Sequence, residues 1–396
     1  MRGLFGQLQT FGQRVAKPCS NIEHNTLIRI GGSAYKMGIG GLHSTESQIV
    51  HVADEQYEIT DHDVASYYPS LILRTGIAPQ QIGQQFQHIY RQWYDRRLAA
   101  KRAGDKKTAN SLKTLLNGTF GKLGSMWSIF YAPTEMIQVT VTGQLALLML
   151  IEMLELHGIQ VVSANTDGIV LRTRRDMTWL RDQVIAWWES VTQFETERTD
   201  YTMLASRDVN SFAAVKPDGT VKLKGAYAPP EPGPSGWPNP TGQVCVDAVV
   251  AYLAHAVPLR NTVYACDDVR QFVYVRQVKG GGSYLPTAVP PKSTTLAAMR
   301  AFCGIEGLAS DEVRAIYTQH REHALSQAQY LGKAVRWYYA TGSTGCIITP
   351  AGGLVARTEG CTPLMGLPDA LPADIDRDWY VREAQSLLTD IGVVHG

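Results

Sequence analysis

The chain has 396 residues, of which 44% are hydrophobic, enough for two or three compact units with buried cores. Its formal net charge of +1 gives no argument from the global field for nucleic acid, membrane or any other charged partner. The six cysteines are scattered, without a C-x-x-C pair or zinc-type histidine spacing, so we expect reduced thiols. The first residues lack a signal-peptide core and the longest apolar run contains Glu152, so no membrane segment is predicted.

Before the first proline-rich break, the sequence predicts a strand, a pair of helices, a long helix and a hairpin. The stretch YEITDHDVASYYP begins as a strand that we expect to end at Pro69. Residues 91–121 predict two helices joined near Gly104, and residues 134–157 predict one long helix. Helices grouped on a sheet favour an α+β fold over a doubly wound parallel fold.

Residues 159–171 have the pattern of a β-hairpin, with the letters NTDG at its turn. Asn and Asp are common turn residues, so this turn alone is no evidence for chemistry. A metal-binding turn of this shape would be expected to hold two acids, yet it carries Asn165 and Asp167.

Three later stretches predict breaks in regular structure, and the last of them is LPDALPADID near residue 370. The segment PPEPGPSGWPNP, at 229–240, predicts a linker after the first half of the chain. The segment VKGGGSYLPTAVPPKS, at 278–293, predicts a second loop among the short elements of the C-terminal half.

The candidate acids lie in DHDVASYYPS, at 61–70. Asp61 and Asp63 alternate with His62, so on a strand both carboxylates would share one face. We expect Pro69 to stop the strand and to leave nearby backbone amides free for an anion. A plain strand end with turn residues is the alternative for this stretch alone.

A basic segment supplies candidate cations. From Arg91 to Lys113 the chain has eight Lys and Arg residues against Asp95 and Asp105. Within it and just after it, four-residue spacing places two sets of side chains on helical faces, namely Arg97 with Lys101, and Lys113 with Asn117 and Gly121. A solvated basic face is the alternative for these helices.

Together these elements suit nucleotidyl transfer. Two carboxylates from separate strands, Asp63 and Asp167, can hold two divalent ions, while Lys and Arg on helices neutralise a triphosphate.

The same order of elements resembles the family B DNA polymerases. DVASYYPS is similar to the family's motif A, KTLLNGTFG to motif B, and NTDG to motif C. Outside these, YKMGIGGLHS resembles the Y-x-G-G region, RLAAK the R-x-x-x-K pattern of the fingers, and KLKGAY the lysine and tyrosine motif that ends the palm. The tail, with VRWYYATG and LPADIDRDWYV, resembles the thumb region of phage members. The resemblance covers nearly the whole chain.

The resemblance implies a right-hand polymerase with palm, fingers and thumb, and an antiparallel palm sheet with helices. The expected parts are an N-terminal palm part at 1–76, fingers at 77–125, palm at 126–228, a linker at 229–241, and thumb with C-terminal region at 242–396. It implies template-directed DNA polymerase activity with two Mg²⁺ ions, for which Mn²⁺ is a candidate substitute, acting on primer-template DNA and dNTPs.

The resemblance also implies roles for residues that match the motifs. Asp63 and Asp167 would be the catalytic metal-binding pair, with the Val64 carbonyl as a further ligand. Tyr68 would lie under the sugar and clash with a 2'-hydroxyl. The other expected nucleotide-binding residues are Ser66, Tyr67, Arg97, Lys101, Lys113, Asn117 and Gly121, and those expected on DNA are Gly40, Gly41, Lys222, Lys224, Tyr227 and Arg336.

The sequence departs from the family's pattern at several positions. Asn165 stands where the first acid of motif C is usual, and we hypothesise that Asp61 partly restores the missing charge. Gly118 and Phe120 replace the usual Ser and Tyr of motif B. Only about sixty residues precede motif A, so we expect no 3'-5' exonuclease in this chain. Short spacings between the motifs favour priming by a nucleic-acid end over protein priming.

Two other functions stay open. One is a catalytically weak or inactive polymerase-fold subunit that binds primer-template DNA within a larger replication complex. The other is a different palm enzyme, such as a primase or a template-independent transferase. A separate exonuclease or replication subunit is a candidate partner, no membrane is expected, and we expect a cytoplasmic location, in a bacterial host if the chain is phage-encoded.

Overall fold

The structure, a computed structural model, describes residues 26–228, 240–289 and 294–393. The chain divides into two compact units, one up to Ala226 and one from Tyr227 onward. Every pairing between named strands is antiparallel, and helices accompany the sheets in both units. The predicted mixture of helices and antiparallel sheet is therefore confirmed, while the assignment of palm, fingers and thumb stays a prediction.

The strands of the first unit form two sheets. They are β1 (Thr26–Ile30), β2 (Ser33–Met37), β3 (Leu42–Ser44), β4 (Ser47–Val52), β5 (Tyr57–Val64), β6 (Gln160–Asn165), β7 (Gly168–Arg174), β8 (Thr196–Tyr201), β9 (Met203–Asp208), β10 (Ser211–Val215) and β11 (Val221–Leu223). The larger sheet has seven strands in the order β1-β2-β3-β6-β7-β5-β8, and the smaller has the order β11-β10-β9-β4. Strand β5 is therefore interior, with β7 on one side and β8 on the other.

The helices of the first unit include the predicted pair. They are α1 (Tyr67–Thr75), α2 (Gln84–Arg102), α3 (Lys106–Leu123), α4 (Pro133–Leu156) and α5 (Thr178–Thr192), with 3-10 turns at Arg175–Met177 and Gly225–Tyr227. Helices α2 and α3 are joined at Gly104, which has φ of +73°, a conformation that glycine adopts without strain. Asp105 then caps α3 by accepting a hydrogen bond from the Thr108 amide.

The predicted end of the motif A strand is wrong. Strand β5 ends at Val64, and Pro69 is the third residue of α1. In the first turn of a helix the backbone N–H has no intrahelical acceptor, so proline is tolerated there. The chain reverses instead at Ser66, whose left-handed backbone (φ +54°) separates the strand from the helix.

Helix α4 is the central helix of the first unit. Leu147, Leu150 and Ile151 on it are buried and belong to the main core cluster, which also contains Trp188 of α5. Its length and apolar composition would suit a membrane span, but 56% of its apolar window is buried inside the unit. Such burial is that of a core helix, and no other described helix is both long and apolar enough to span a membrane.

The second unit has one sheet and six helices within the described ranges. Its elements are β12 (Tyr274–Leu285), β13 (Gln329–Tyr339), β14 (Cys346–Ile348), β15 (Cys361–Pro363), α6 (Gln243–His255), α7 (Leu259–Ala265), α8 (Val269–Phe272), α9 (Leu296–Cys303), α10 (Ser310–Ser326) and α11 (Arg377–Asp390). The sheet order is β14-β12-β13-β15.

The prediction of a loop at 278–293 is wrong for its glycine-rich part, because residues up to Leu285 belong to β12. The register with β13 shifts between Gln277 and Gly282, where Gly280 and Gly281 have positive φ. The glycines therefore form a bulge inside a strand rather than a loop. Residues 290–293 and most of the predicted linker, 229–239, lie outside the described residues.

Candidate active site

The two predicted catalytic acids meet at the larger sheet, with Asp63 on β5 and Asp167 in the turn between β6 and β7. In the antiparallel pair of β5 and β7, Asp63 is opposite Gly168, the residue that follows Asp167. The Val64 amide donates to the Asp167 carbonyl at 2.7 Å, which fixes the strand end against the β6–β7 turn. Strand pairing thus brings together two acids that are about a hundred residues apart in sequence.

Gly168 is required by this close approach. A Cβ on Gly168 would overlap Asp63 Oδ1. The residue after Asp167 therefore has to lack a side chain if the Asp63 carboxylate is to keep its position between the strands.

Most of the predicted nucleotide-site residues line one cavity of about 830 Å³ in the first unit. One side of it is formed by the acids of β5 and the β6–β7 turn, and another by helices α2 and α3. The predicted residues in its lining are Asp63, Val64, Ser66, Tyr67, Tyr68, Arg97, Lys101, Lys113, Asn117, Asp167, Lys222 and Lys224. Three elements that are remote in sequence thus meet at one cavity.

The cations of α2 and α3 lie opposite the acids. The Arg97 guanidinium donates to Ser66 Oγ at the start of α1, and Lys101 forms an exposed ion pair with Glu197 of β8. Lys113, on α3, is exposed and lines the cavity. The N-terminus of α1, which has no side-chain cap, lies at the same cavity, so its dipole favours an anion there.

Lys222, which we predict to contact the DNA backbone, forms ion pairs with two carboxylates, and its contact with DNA stays a prediction. Its ammonium group lies 2.8 Å from Asp61 Oδ2 and 3.5 Å from Asp63 Oδ2. The Tyr201 hydroxyl donates to the same Asp61 oxygen at 2.6 Å, and Asp61 is only 5% exposed. Burial alone would lower the pKa of Lys222, but the Asp61 carboxylate overrides this effect and raises the pKa above its usual value.

The hypothesis that Asp61 replaces the missing charge at Asn165 stays a prediction, and this ion pair argues against it. Asp61 does lie on the Asp63 side of β5, since Lys222 reaches both carboxylates. Its charge is largely compensated by Lys222.

The environment favours the protonated form of both candidate metal ligands. Burial raises the pKa of Asp63 above its usual value, and Asp61 adds to this, while Lys222 and Lys224 oppose it. Burial likewise raises the pKa of Asp167, and Asp63 adds to this. Two carboxylates that repel each other beside a cavity form a set that a divalent cation would stabilise.

The oxygen ligands at this cavity suit Mg²⁺ better than a metal ion that has to be surrounded entirely by protein side chains. Among the described residues no group of three or more His, Cys, Asp or Glu side chains is arranged to hold a metal ion. Mg²⁺ usually keeps several waters and binds through one or two carboxylates together with substrate phosphates. Asp63 and Asp167 match that requirement, and they leave room for phosphate and water.

Tyr68 is held in place by two neighbours. Its ring stacks on Phe120 of α3, with ring centroids 4.2 Å apart and planes inclined by 10°, and its hydroxyl donates to the Gly40 carbonyl at 2.9 Å. Burial raises the pKa of Tyr68 to about 12, so the hydroxyl stays protonated and can donate. Motif A, motif B and the Gly40 region therefore meet at this ring.

Gly40 and Gly41 line a second cavity of about 520 Å³ in the first unit, with His43 and Asn210 among its walls. Gly41 lies against Thr166, since a Cβ on Gly41 would approach Thr166 Oγ1 to 2.9 Å. Burial lowers the pKa of His43, whose Nε2 lies 3.3 Å from the same hydroxyl.

Gly40 and Gly41 are two of five predicted residues that are absent from the lining of the main cavity. Gly121 lies on α3 outside its lining, and Tyr227 and Arg336 belong to the second unit. Tyr227 is buried, with 1% exposure, and Arg336 lies on β13 opposite Val275. Their predicted contact with DNA stays a prediction.

Sequence reasoning missed the partners that hold the site together. Tyr201, Val209 and Asn210 carry no recognisable motif, and they contact Asp61 or Asn165 only because β8, β9 and β10 fold beside the site. The sequence shows Phe120 only as the residue that replaces the usual Tyr of motif B. Its stacking on Tyr68 is visible only in the structure.

No protein-family model matches the chain, and no curated protein matches its sequence. Among solved structures, the chain is similar to the family B DNA polymerase of the hyperthermophilic archaeon Pyrobaculum calidifontis, with 13% sequence identity and a TM-score of 0.48. The match covers 94% of this chain and 48% of that one, so the chain spans about half of that polymerase's length. At this level the match carries no functional argument, and the chemistry has to be argued from the side chains of the cavity.

The first prediction concerns Gly168. We expect Gly168→Ala to fold, because its backbone conformation is one that any residue can adopt, but to bind Mn²⁺ at least about tenfold more weakly, because the methyl group displaces the Asp63 carboxylate. Mn²⁺ titration followed by electron paramagnetic resonance measures this. Gly32→Ala is the matched control, since a Cβ there meets nothing within 4 Å. Equal Mn²⁺ affinity in both variants would contradict the close approach.

The second prediction follows from the raised pKa of Asp167. A carboxyl whose pKa is higher in the folded chain than in the unfolded one stabilises the fold at low pH and loses that contribution as the pH rises through its folded pKa. In EDTA at pH 7, Asp167→Asn should therefore melt at a higher temperature than the parent chain. The difference should vanish as the pH falls towards about 4, the pKa of an unfolded aspartate.

Thermal unfolding between pH 4 and 8 tests this, with Asp95→Asn, an exposed site on α2, as control. Mn²⁺ should reverse the order, because a ligand that binds only the folded chain stabilises it. A variant that melts below the parent chain in EDTA at pH 7 would contradict the raised pKa of Asp167, to which burial contributes most and Asp63 adds.

Proposed function

We propose that this chain is a template-directed DNA polymerase that adds deoxynucleotides to the 3' end of a primer. The observation that carries the proposal is one cavity, at which Asp63 of β5 and Asp167 of the β6–β7 turn lie opposite cations of two helices, namely Arg97, Lys101 and Lys113. Acids alone would not bind a triphosphate, and cations alone would not activate a hydroxyl. Both groups at one cavity suit phosphoryl chemistry on a nucleotide.

The acids of the cavity would hold the divalent ions of the reaction. When bound, two Mg²⁺ ions lower the pKa of the attacking hydroxyl and neutralise charge on the attacked phosphate. Asp63 and Asp167 would hold them, and the Val64 carbonyl is the proposed further ligand. The chain's own contribution is to keep both carboxylates fixed, Asp63 by the fit against Gly168 and Asp167 by its place on the β6–β7 turn.

Helices α2 and α3, together with the N-terminus of α1, would bind the triphosphate. Arg97 and Lys113 offer positive charge, and the first amides of α1 offer hydrogen-bond donors near Ser66. Because Arg97 already donates to Ser66 Oγ, it is held in position before a nucleotide arrives. Pre-organised charge of this kind stabilises the transferring phosphoryl group without further rearrangement.

Tyr68 would select the sugar. Its ring is held between Phe120 and the Gly40 carbonyl and lines the cavity beside the acids. A ring fixed at that place leaves no room to turn away from a 2'-hydroxyl, so deoxynucleotides would be preferred over ribonucleotides.

The third prediction tests catalysis itself. The chain should extend a labelled primer on a DNA template with Mg²⁺ and dNTPs, and Asp63→Ala and Asp167→Ala should each lower the rate by at least about a hundredfold, since loss of even a supporting metal contact costs 10- to 100-fold. Omitting the template should abolish extension. Asp95→Ala, which removes an exposed carboxylate on α2, should extend normally.

Each other outcome points to a different function. No extension by the parent chain, with primer-template still bound, would favour the polymerase-fold binding subunit, for which the ion pair of Lys222 with the acids offers support. Extension that continues without a template would favour a template-independent transferase. Both results would overturn the proposed activity.

The fourth prediction concerns the sugar. Tyr68→Ala should raise the efficiency of ribonucleotide incorporation relative to deoxynucleotide incorporation by roughly 10- to 200-fold, the range expected when one steric clash is removed. Single-nucleotide extension with matched rNTP and dNTP gives the two kcat/KM values. Tyr68→Phe is the control, because it keeps the ring and loses only the hydroxyl bond to Gly40. Unchanged discrimination in Tyr68→Ala would rule out this role.

A further inference from the structure

We propose that Asn165 is a positioning residue whose side-chain amide holds the turn that carries Asp167. This inference deepens the proposed function and rests on it, because the positioned group is the proposed metal ligand. Asn165 is thereby more than a neutral replacement for the acid that is usual at this position. Its side-chain amide can donate two hydrogen bonds, whereas an ionised aspartate can donate none.

The side chain of Asn165 is bonded at both ends. Its Nδ2 donates to the Val209 carbonyl at 2.9 Å and lies 3.3 Å from Asn210 Oδ1. Its Oδ1 accepts from the Thr166 hydroxyl at 3.2 Å. A backbone carbonyl can only accept, so the nitrogen of the amide must face Val209. An ionised aspartate has no donor and would set its carboxylate against that carbonyl.

The turn needs such support because its backbone is strained. Thr166 has φ of +59°, a left-handed conformation that is unfavourable for a β-branched residue. On one side the Thr166 amide donates to the Leu42 carbonyl at 2.8 Å, and its hydroxyl lies 3.3 Å from His43 Nε2. The bonds of Asn165 add support from the connection between β9 and β10, and strained turns persist only where their surroundings fix them.

Asn165 also ties together the two sheets of the first unit at the site. It ends β6 of the larger sheet, whereas Val209 and Asn210 connect β9 and β10 of the smaller sheet. The smaller sheet also contains β11, whose Lys222 binds Asp61 of the larger sheet. The amide contact and the ion pair thus join the sheets on both sides of the acids, and the position of Asp167 depends on the amide.

The test begins with Asn165→Asp, which keeps the shape and exchanges the amide for a carboxylate. We expect a lower melting temperature in EDTA, no gain in Mn²⁺ affinity, and a fall in kcat of about tenfold with little change in the KM for dNTP, which corresponds to about 1.4 kcal/mol. Asn261→Asp, at an exposed site on α7 of the second unit, is the matched control and should change none of these. Tighter Mn²⁺ binding with an unchanged melting temperature would overturn the proposal.

A double-mutant cycle isolates the contact. Asn210→Asp alone should be tolerated, because Asn165 Nδ2 can donate to a carboxylate as well as to an amide oxygen. Asn165→Asp with Asn210→Asp places two carboxylates face to face, so the loss in melting temperature should exceed the sum of the single losses. Additive losses would refute the contact.

The two levels of the proposal can fail separately. Melting temperature and Mn²⁺ affinity decide the role of Asn165 even if the parent chain extends no primer, a result that would overturn only the polymerase activity. Normal primer extension by Asn165→Asp, with normal stability, would overturn the role of Asn165 and leave the activity in place.

Discussion

The fit of Asp63 against Gly168 is the constraint on which the rest of the site depends. Asp63 and Gly168 are opposite each other in an antiparallel pair, and the Asp63 carboxylate occupies the space that a Cβ on Gly168 would need. This places Asp63 beside Asp167 in a partly buried position, where both acids have raised pKa values. The site therefore concentrates negative charge at a cost to the metal-free fold.

That charge is offset from two directions, and the two sets of cations are not equivalent. Lys222 approaches from the smaller sheet and is bound mainly to Asp61, so it compensates the charge of a buried acid. Arg97 and Lys113 approach from the helices and face the open cavity. The first arrangement neutralises a carboxylate inside the fold, and the second places positive charge at the cavity that is proposed to bind a triphosphate.

The β6–β7 turn, which carries Asp167, is supported by contacts with two other parts of the first unit. A left-handed Thr166 lets the chain reverse within two residues, and contacts with Leu42 on one side and with Val209, through Asn165, on the other offset the strain. The Tyr68 ring is fixed by the same logic, between an aromatic ring and a backbone carbonyl. Rigid placement of this kind is what two-ion phosphoryl chemistry requires, because catalysis there is mostly positioning and electrostatics.

Local pattern in the sequence determined the hairpin around Asp167, the paired helices joined at Gly104 and the long core helix, because each depends on neighbours within a few residues. Local pattern failed where the same residues suit two structures. Pro69 fits a helix start as well as a strand end, and the glycines near 280 fit a bulge as well as a loop. Only the tertiary structure decided the partners of Asp61 and Asn165, because those contacts form between strands far apart in the chain and depend on how two sheets meet.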